Sequence, residues 1–299
     1  MKDDQLILEM KNISKSFSGV RALNDVSISC KKGNVHALVG ENGAGKSTLI
    51  KILSGAQQPD KGTICFKGKN YESFSTREDL NSVISVIYQE LALVSEMSVV
   101  ENIFLGREIR TTVGIIDSAR MRQEANRLLE QMGLKINVKS EVGVLSVAYQ
   151  QMVEISKALS RNADLIVMDE PSAILAGHEL EQLFRTIQSL KNNGVTVIYI
   201  SHRLEEVFRI ADEVTVLKDG KNVVTRYMEG LTRAELVSAM VGRKLEEVFP
   251  QSASKVGECV LEAREISTDT ILQKVNLKLH RGQIVGLAGM VGSGRTELA

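Results

Sequence analysis

An α/β fold around a mostly parallel sheet is predicted by three features of this 299-residue sequence. Short apolar runs stand at Val35–Val39, Leu165–Met168 and Val195–Ile200, each bounded by Gly, Asp or Ser. Runs that are apolar on both faces belong to buried parallel strands. Between them lie amphipathic helical stretches, the alternation that defines α/β architecture. Hydrophobic residues make up 43% of the chain, enough to fill two domain cores at this length.

The first strand, Val35–Val39, runs into a glycine-rich turn and a helical segment over Ser47–Leu53. A second apolar stretch follows at Val83–Tyr88. From about Val99 to Ser160 strand signals fade, within a helical subdomain expected over about residues 92–160, and Ser118–Met132 carries Met121, Ala125, Leu128, Leu129 and Met132 on one stripe, closed by Gly133. A helical insertion is expected there. After Leu165–Met168, a helix over Glu179–Asn193 buries Leu180, Leu183, Ile187 and Leu190 and stops at Gly194. Beyond Val195–Ile200 come a short helix from Leu204, a hairpin around Lys218-Asp219-Gly220, and a helix opened by a Thr232/Glu235 capping box.

The first domain should end near Met240, with residues 241–257, mixed in charge, Pro, Ser and Gly, as a linker. Past it the sequence repeats itself. LEMKNIS, NDVSISCKKGNVHALVG and GAGKSTL return as LEAREIS, QKVNLKLHRGQIVGLAG and GSGRTEL, with the Gly33 to Gly40 spacing reproduced between Gly282 and Gly289. Residues 258–299 therefore read as the truncated start of a second copy, ending at Ala299 before its later strands.

Lys plus Arg and Asp plus Glu each number 37, so no long-range field draws the chain to nucleic acid. The three cysteines, Cys30, Cys65 and Cys259, form no CxxC pair and suit a reducing, cytoplasmic setting. No apolar run reaches the ~18 residues of a membrane span, and MKDDQLILEM has no signal-peptide core. Any service to a membrane is expected from its side.

Gly40-Glu41-Asn42-Gly43-Ala44-Gly45-Lys46-Ser47 fits G-x-x-x-x-G-K-[ST] between a strand and a helix. Its glycines let backbone N–H groups wrap phosphate oxygens, and the helix N-terminus adds partial positive charge. Lys46 is placed along β- and γ-phosphates, Ser47 on Mg²⁺, and Thr48 completes the binding set. Asp169 ends an apolar strand beside that loop as the second metal contact, and Glu170 is placed as general base or orienting group for water. Gln89 offers an amide to Mg²⁺ or to the attacking water. His202 is placed on the γ-phosphate, and Phe17 on the adenine face.

In chain order, Phe17, the Gly40–Ser47 loop, Gln89 in VIYQE, LSVAYQQ at Leu145–Gln151, Asp169-Glu170-Pro171 and His202 resemble the ATP-binding-cassette (ABC) transporter ATPases over residues 5–240. The QQMVEI run, the linker and the second glycine loop are similar to the tandem-cassette ATPases of bacterial ribose, galactose and xylose importers. The resemblance implies a P-loop NTPase cassette with an antiparallel β subdomain and a helical insertion. It implies a subunit on the cytoplasmic face of the cell membrane that uses ATP and Mg²⁺ to drive sugar uptake through a permease fed by a sugar-binding protein. A second cassette, from another copy or another ATPase, is implied in trans, with Ser146 donating to the γ-phosphate held opposite.

The sequence departs from the family pattern at Ala148, which replaces a Gly and is expected to crowd that phosphate, and at Tyr149. It departs again at Ala176 after Asp-Glu-Pro and at Arg295, which replaces Lys in the second loop. Two other readings remain at this stage. One is a non-catalytic nucleotide-binding remnant, motivated by the end at Ala299 and by Ala148, and the other a cytosolic ABC ATPase outside transport, which the neutral charge disfavours.

Overall fold

The computed structural model describes residues 5–71, 84–161, 163–175, 177–242, 257–269, 271–289 and 292–299. Two compact units divide the chain, residues 1–243 and 244–299.

In the first unit, β1 (Leu6–Phe17), β2 (Val20–Lys31), β4 (Lys61–Phe66) and β5 (Lys69–Tyr71) form an antiparallel sheet in the order β2-β1-β4-β5. Val26, Ile28 and Cys30 of β2 are buried while Asp25 and Ser27 face out, the alternation of a one-sided sheet. The second sheet contains β3 (Val35–Val39), β6 (Ile84–Ile87), β7 (Leu165–Asp169), β8 (Thr196–Ile200), β9 (Glu213–Lys218) and β10 (Lys221–Tyr227). Its order is β10-β9-β3-β8-β7-β6, parallel throughout except for the edge strand β10.

All five residues of β3 and of β8 are buried, including His36, hydrogen-bonded to Thr215, and Thr196, which accepts from the Gly33 N–H. Leu165 and Val167 point to the face covered by the antiparallel sheet and by α1 (Lys46–Leu53). Ile166 and Met168 point the other way, into a core shared with α5 (Gly177–Asn192) and the helical insertion. That insertion comprises α2 (Val99–Phe104), α3 (Ser118–Gln131), a 3₁₀ turn (Val142–Val144) and α4 (Val147–Leu159). A third cluster packs Ala37, Val39, Val214 and Val216 under α6 (Leu204–Ile210) and α7 (Arg233–Val241).

Element boundaries shift by a residue or two from the sequence pattern. Val195 illustrates why: its N–H closes the end of α5 on the Leu190 carbonyl, so β8 begins at Thr196. The Thr232/Glu235 capping box is formed as expected, and α2 carries a second one, Ser98/Glu101. No described helix is long and apolar enough to cross a membrane.

In the second unit, β11 (Cys259–Ile266) and β12 (Val275–His280) pair antiparallel, as β1 and β2 do, and Gly294 leads into α8 (Arg295–Leu298). Residues 283–289, the counterpart of β3 in the repeat, form no strand, and Ile284 is 95% exposed. The reason is topological: β3 is ordered by β8 on one side and β9 on the other, and no such neighbours occur among the described residues of this unit. Ala176, and residues 243–256 of the expected linker, lie outside the described residues.

Candidate nucleotide site

Parallel strands bring their carboxyl ends to one edge, and every strand-borne candidate sits there. Leu38 of β3 pairs with Ile200 of β8, which pairs with Asp169 of β7, and Met168 of β7 pairs with Ile87 of β6. The glycine loop after β3, His202 after β8, Asp169 and Glu170 at the end of β7, and Gln89 after β6 therefore leave the sheet side by side.

The loop's shape is set by close backbone approaches. A side-chain carbon on Gly40 would lie 2.3 Å from the Leu217 carbonyl oxygen. One on Gly45, at φ 103°, would lie 2.7 Å from the Ala22 carbonyl oxygen and from Leu23. Only glycine fits either place. Gly220, in the β9–β10 turn, donates its N–H to the Ala44 carbonyl and accepts from Asn24, bracing the loop from behind. Glu41, Asn42, Gly43 and Ser47 are exposed, Ala44 is buried and Thr48 half-buried. Gly45 is the N-cap of α1 and provides no side-chain acceptor, so the first N–H groups of the helix are not capped by a side chain.

Lys46 is buried, and its Nζ donates to the Gly40 carbonyl at 2.8 Å and the Glu41 carbonyl at 3.0 Å. Burial pulls its ammonium below the usual lysine range, against the attraction of Glu170 and Asp169. Asp169 is pushed above the usual carboxylate range by burial and by the Glu170 charge, with Lys46 pulling it back. Glu170 has φ 48°, a left-handed conformation that costs a non-glycine residue about 1–2 kcal/mol. Its N–H crosses to the Ile200 carbonyl at 3.0 Å, so the chain turns sharply at the strand end. Its Oε1 lies 3.0 Å from His202 Nδ1, and the imidazole is otherwise exposed.

Phe17 lies on the antiparallel sheet, half exposed at the end of β1, with the Lys15 ammonium 5.6 Å from its ring centroid. Ser146, at the head of α4, accepts from the Tyr149 N–H at 3.4 Å and is exposed.

These features meet in one family. The profile described as ABC transporter matches residues 23–173, which include the glycine loop, LSVAYQQ and Asp169-Glu170. The chain belongs to the ABC transporter family. It is 44% identical over 296 residues to a galactose/methyl galactoside import ATP-binding protein of Photobacterium profundum, covering 99% of this chain and 60% of the relative. It is 49% identical over 293 residues to a ribose import ATP-binding protein of Rubrobacter xylanophilus, covering 98% and 58%. The chain thus spans about 60% of the length of the curated relatives it matches. Among solved structures, a nucleotide-free ATP-binding cassette from an ABC transporter aligns at a TM-score of 0.70 and 30% identity, over 82% of this chain and 98% of that one. The ADP conformation of an ATP-binding cassette aligns at 0.70 and 31%, over 80% and 98%.

Seen as an ABC cassette, the first unit corrects one expectation. Ala148 is 9% exposed and belongs to the hydrophobic core, so its methyl packs inward rather than toward a nucleotide held opposite. The side chains that face out from that turn are Ser146, Val147 and Tyr149. The residues also fit a magnesium ion. Asp169 and Glu170 are adjacent half-buried carboxylates, and the attraction of Lys46 only partly offsets the upward push on Asp169, so a cation would be welcome there. Among the described residues no group of three or more His, Cys, Asp or Glu is arranged to hold a metal unaided, and an ABC cassette needs none, because Mg²⁺ is bound by few protein groups together with substrate phosphates.

The sequence reading passed over Glu206, a buried carboxylate under the His202 turn that accepts hydrogen bonds from Ser172, Tyr199 and Ser201. The signal was faint: of the adjacent pair Glu205 and Glu206, only the second falls on the buried side with Val207.

Proposed function

We propose that the first unit is a complete ATP-binding cassette that hydrolyses MgATP, and that residues 258–299 begin a second one. The whole protein would be the ATP-binding subunit of a sugar importer, a role that rests on relatives named as galactose, ribose and xylose import ATP-binding proteins. It would act from the cytoplasmic face, docked on a membrane permease served by a sugar-binding protein. A second cassette, in another copy or another ATPase, would present Ser146 to the nucleotide.

The contact that carries the reading is the one between Glu170 and His202 beside the phosphate loop. In hydrolysis, a water oxygen bonds to the γ-phosphorus, the bond to the ADP oxygen breaks, and the water's proton must leave. Glu170, fixed at the strand end, takes or orients that proton. His202, as the imidazolium, would donate Nδ1–H to Glu170 and Nε2–H to a γ-phosphate oxygen. Lys46 exchanges its two loop carbonyls for phosphate oxygens and, with the loop N–H groups, stabilises the spreading negative charge. Ser47, Asp169 and the Gln89 amide would hold magnesium, which would supply positive charge against the phosphates. Phe17 offers its exposed face to the base.

Steady-state MgATP hydrolysis measured against protein concentration tests this, with Glu170→Gln as the control. A rate that rises faster than linearly and is lost in the control is expected. A control as fast as the parent would remove Glu170 from the chemistry.

A further inference from the structure

Glu206 stands one turn into the site's supporting layer and gathers an unusual number of partners. Its Oε2 accepts from Ser172 Oγ at 2.6 Å, Tyr199 OH at 2.8 Å and Ser201 Oγ at 3.1 Å. Arg203 Nη1 approaches Oε1 at 3.4 Å. Glu206, Ser172, Tyr199 and Ser201 are each at most 4% exposed. The carboxylate is therefore shut away from water and fully engaged by the protein.

The partners belong to the two segments that carry Glu170 and His202. Ser172 lies in the turn that leaves Glu170, which is closed by the Ala173 N–H on the Glu170 carbonyl. Ser201 immediately precedes His202, and its Oγ also accepts the Arg203 N–H at 3.0 Å. The Arg203 guanidinium reaches back to the Ser172 and Ala173 carbonyls at 3.3 and 3.5 Å. Burial holds the Tyr199 hydroxyl far above its ordinary range, so it stays a donor at any working pH. The main-chain bond from Glu170 to Ile200 ties the two strand ends but leaves both side chains free to turn.

We propose that Glu206 is a positioning residue, a buried hub that locks the turn after Glu170 to the turn before His202 and so sets the contact between those two side chains. The proposal rests on the hydrolytic role given above to that pair. With Glu206→Gln the charge is lost, and any amide orientation sets an N–H₂ against either the three hydroxyls or Arg203. Both turns then lose their common anchor. Tyr199→Phe removes a single hydroxyl and preserves the packing.

The test is ring-nitrogen NMR of the full chain with labelled histidine, which has only four histidines and in which Glu170→Gln and His202→Asn identify the His202 signals. Glu206→Gln should move the His202 Nδ1 signal toward its position in Glu170→Gln, and Tyr199→Phe should move it part of the way. The signal of His36, buried on β3 against Thr215, should stay in place. In parallel, hydrolysis should fall at least tenfold in kcat with KM for MgATP within twofold. His202 signals that coincide with the parent's in both variants would overturn the proposal. Should Glu206→Gln fail to fold, Tyr199→Phe alone decides. A parent without hydrolysis would count against the catalytic reading, while the NMR comparison would still decide the positioning.

Discussion

Replacing Gly40 by alanine puts a methyl carbon 2.3 Å from the Leu217 carbonyl oxygen and 3.0 Å from the Ala44 side chain. Leu217 is a fully buried β9 residue, so its carbonyl cannot swing aside as the tip of a long side chain would. The glycine loop must move instead. Overpacking of this kind costs about 1–3 kcal/mol, and a main-chain obstacle argues for the upper end. For a unit of this size each kcal/mol lowers Tm by about 2–4 °C, so a fall of about 6–12 °C is expected in thermal unfolding of the full chain. Gly230→Ala is the matched comparison. It has φ 75° with open space around it, so it carries only the left-handed penalty of about 1–2 kcal/mol, away from the loop. Nucleotide then separates the two. A ligand at a hundred times its Kd stabilises by about 2.7 kcal/mol, which Gly230→Ala should show in full and Gly40→Ala should lack. If Gly40→Ala melts no lower than Gly230→Ala, or keeps the parent's nucleotide-induced rise, the loop is not set by this approach.

Two further substitutions probe charge and packing. Asp169 is raised in the fold, so its carboxylate form destabilises the folded state once pH exceeds the ordinary aspartate value of about 4. Without nucleotide, Asp169→Asn should melt above the parent at pH 7, and the difference should vanish as pH falls toward 4; an Asn variant less stable than the parent at neutral pH would contradict the charge argument. Ala148→Gly removes a buried methyl from α4 and should cost about 1 kcal/mol, seen as a Tm loss of about 2–4 °C. Turnover should not rise with it, and faster hydrolysis would restore the idea that the methyl obstructs a phosphate.

Continuous apolar runs made β3, β7 and β8 readable, and the residue that follows each run defined the edge where the site lies. Gly40–Ser47 was readable for a related reason, since few other functions require glycines, a lysine and a hydroxyl in that order between a strand and a helix. What sequence left hidden is orientation. Ala148 was placed by its motif on the exposed turn of α4, yet Met152 and Ile155 follow it at i+4 and i+7, and that stripe is buried. Helical phase outranked motif position there. The left-handed turn at Glu170 and its bond to His202 join residues 32 positions apart, and no local pattern announces such a pairing. Residues 283–289 repeat the β3 sequence without its structure, because a central strand is ordered by neighbours that a local pattern does not encode.

The site collects local features that each oppose the stability of its own unit. Glu170 sits at positive φ, Asp169 bears a charge its burial disfavours, and Lys46 is drawn below its usual range while its donors rest on loop carbonyls. Departures from local preference cluster where a ligand is meant to relieve them. On the proposed reading, a polyphosphate with a divalent cation would supply the missing counter-charge for Asp169 and a better acceptor for Lys46. Stability and binding should therefore part company in this region. Asp169→Asn raises stability and Gly40→Ala lowers it, and both are expected to abolish the stabilisation given by MgATP. Loss of binding in two variants whose stabilities move in opposite directions would locate the effect in the site's charge and shape, since a general loosening of the fold can account for only one of them.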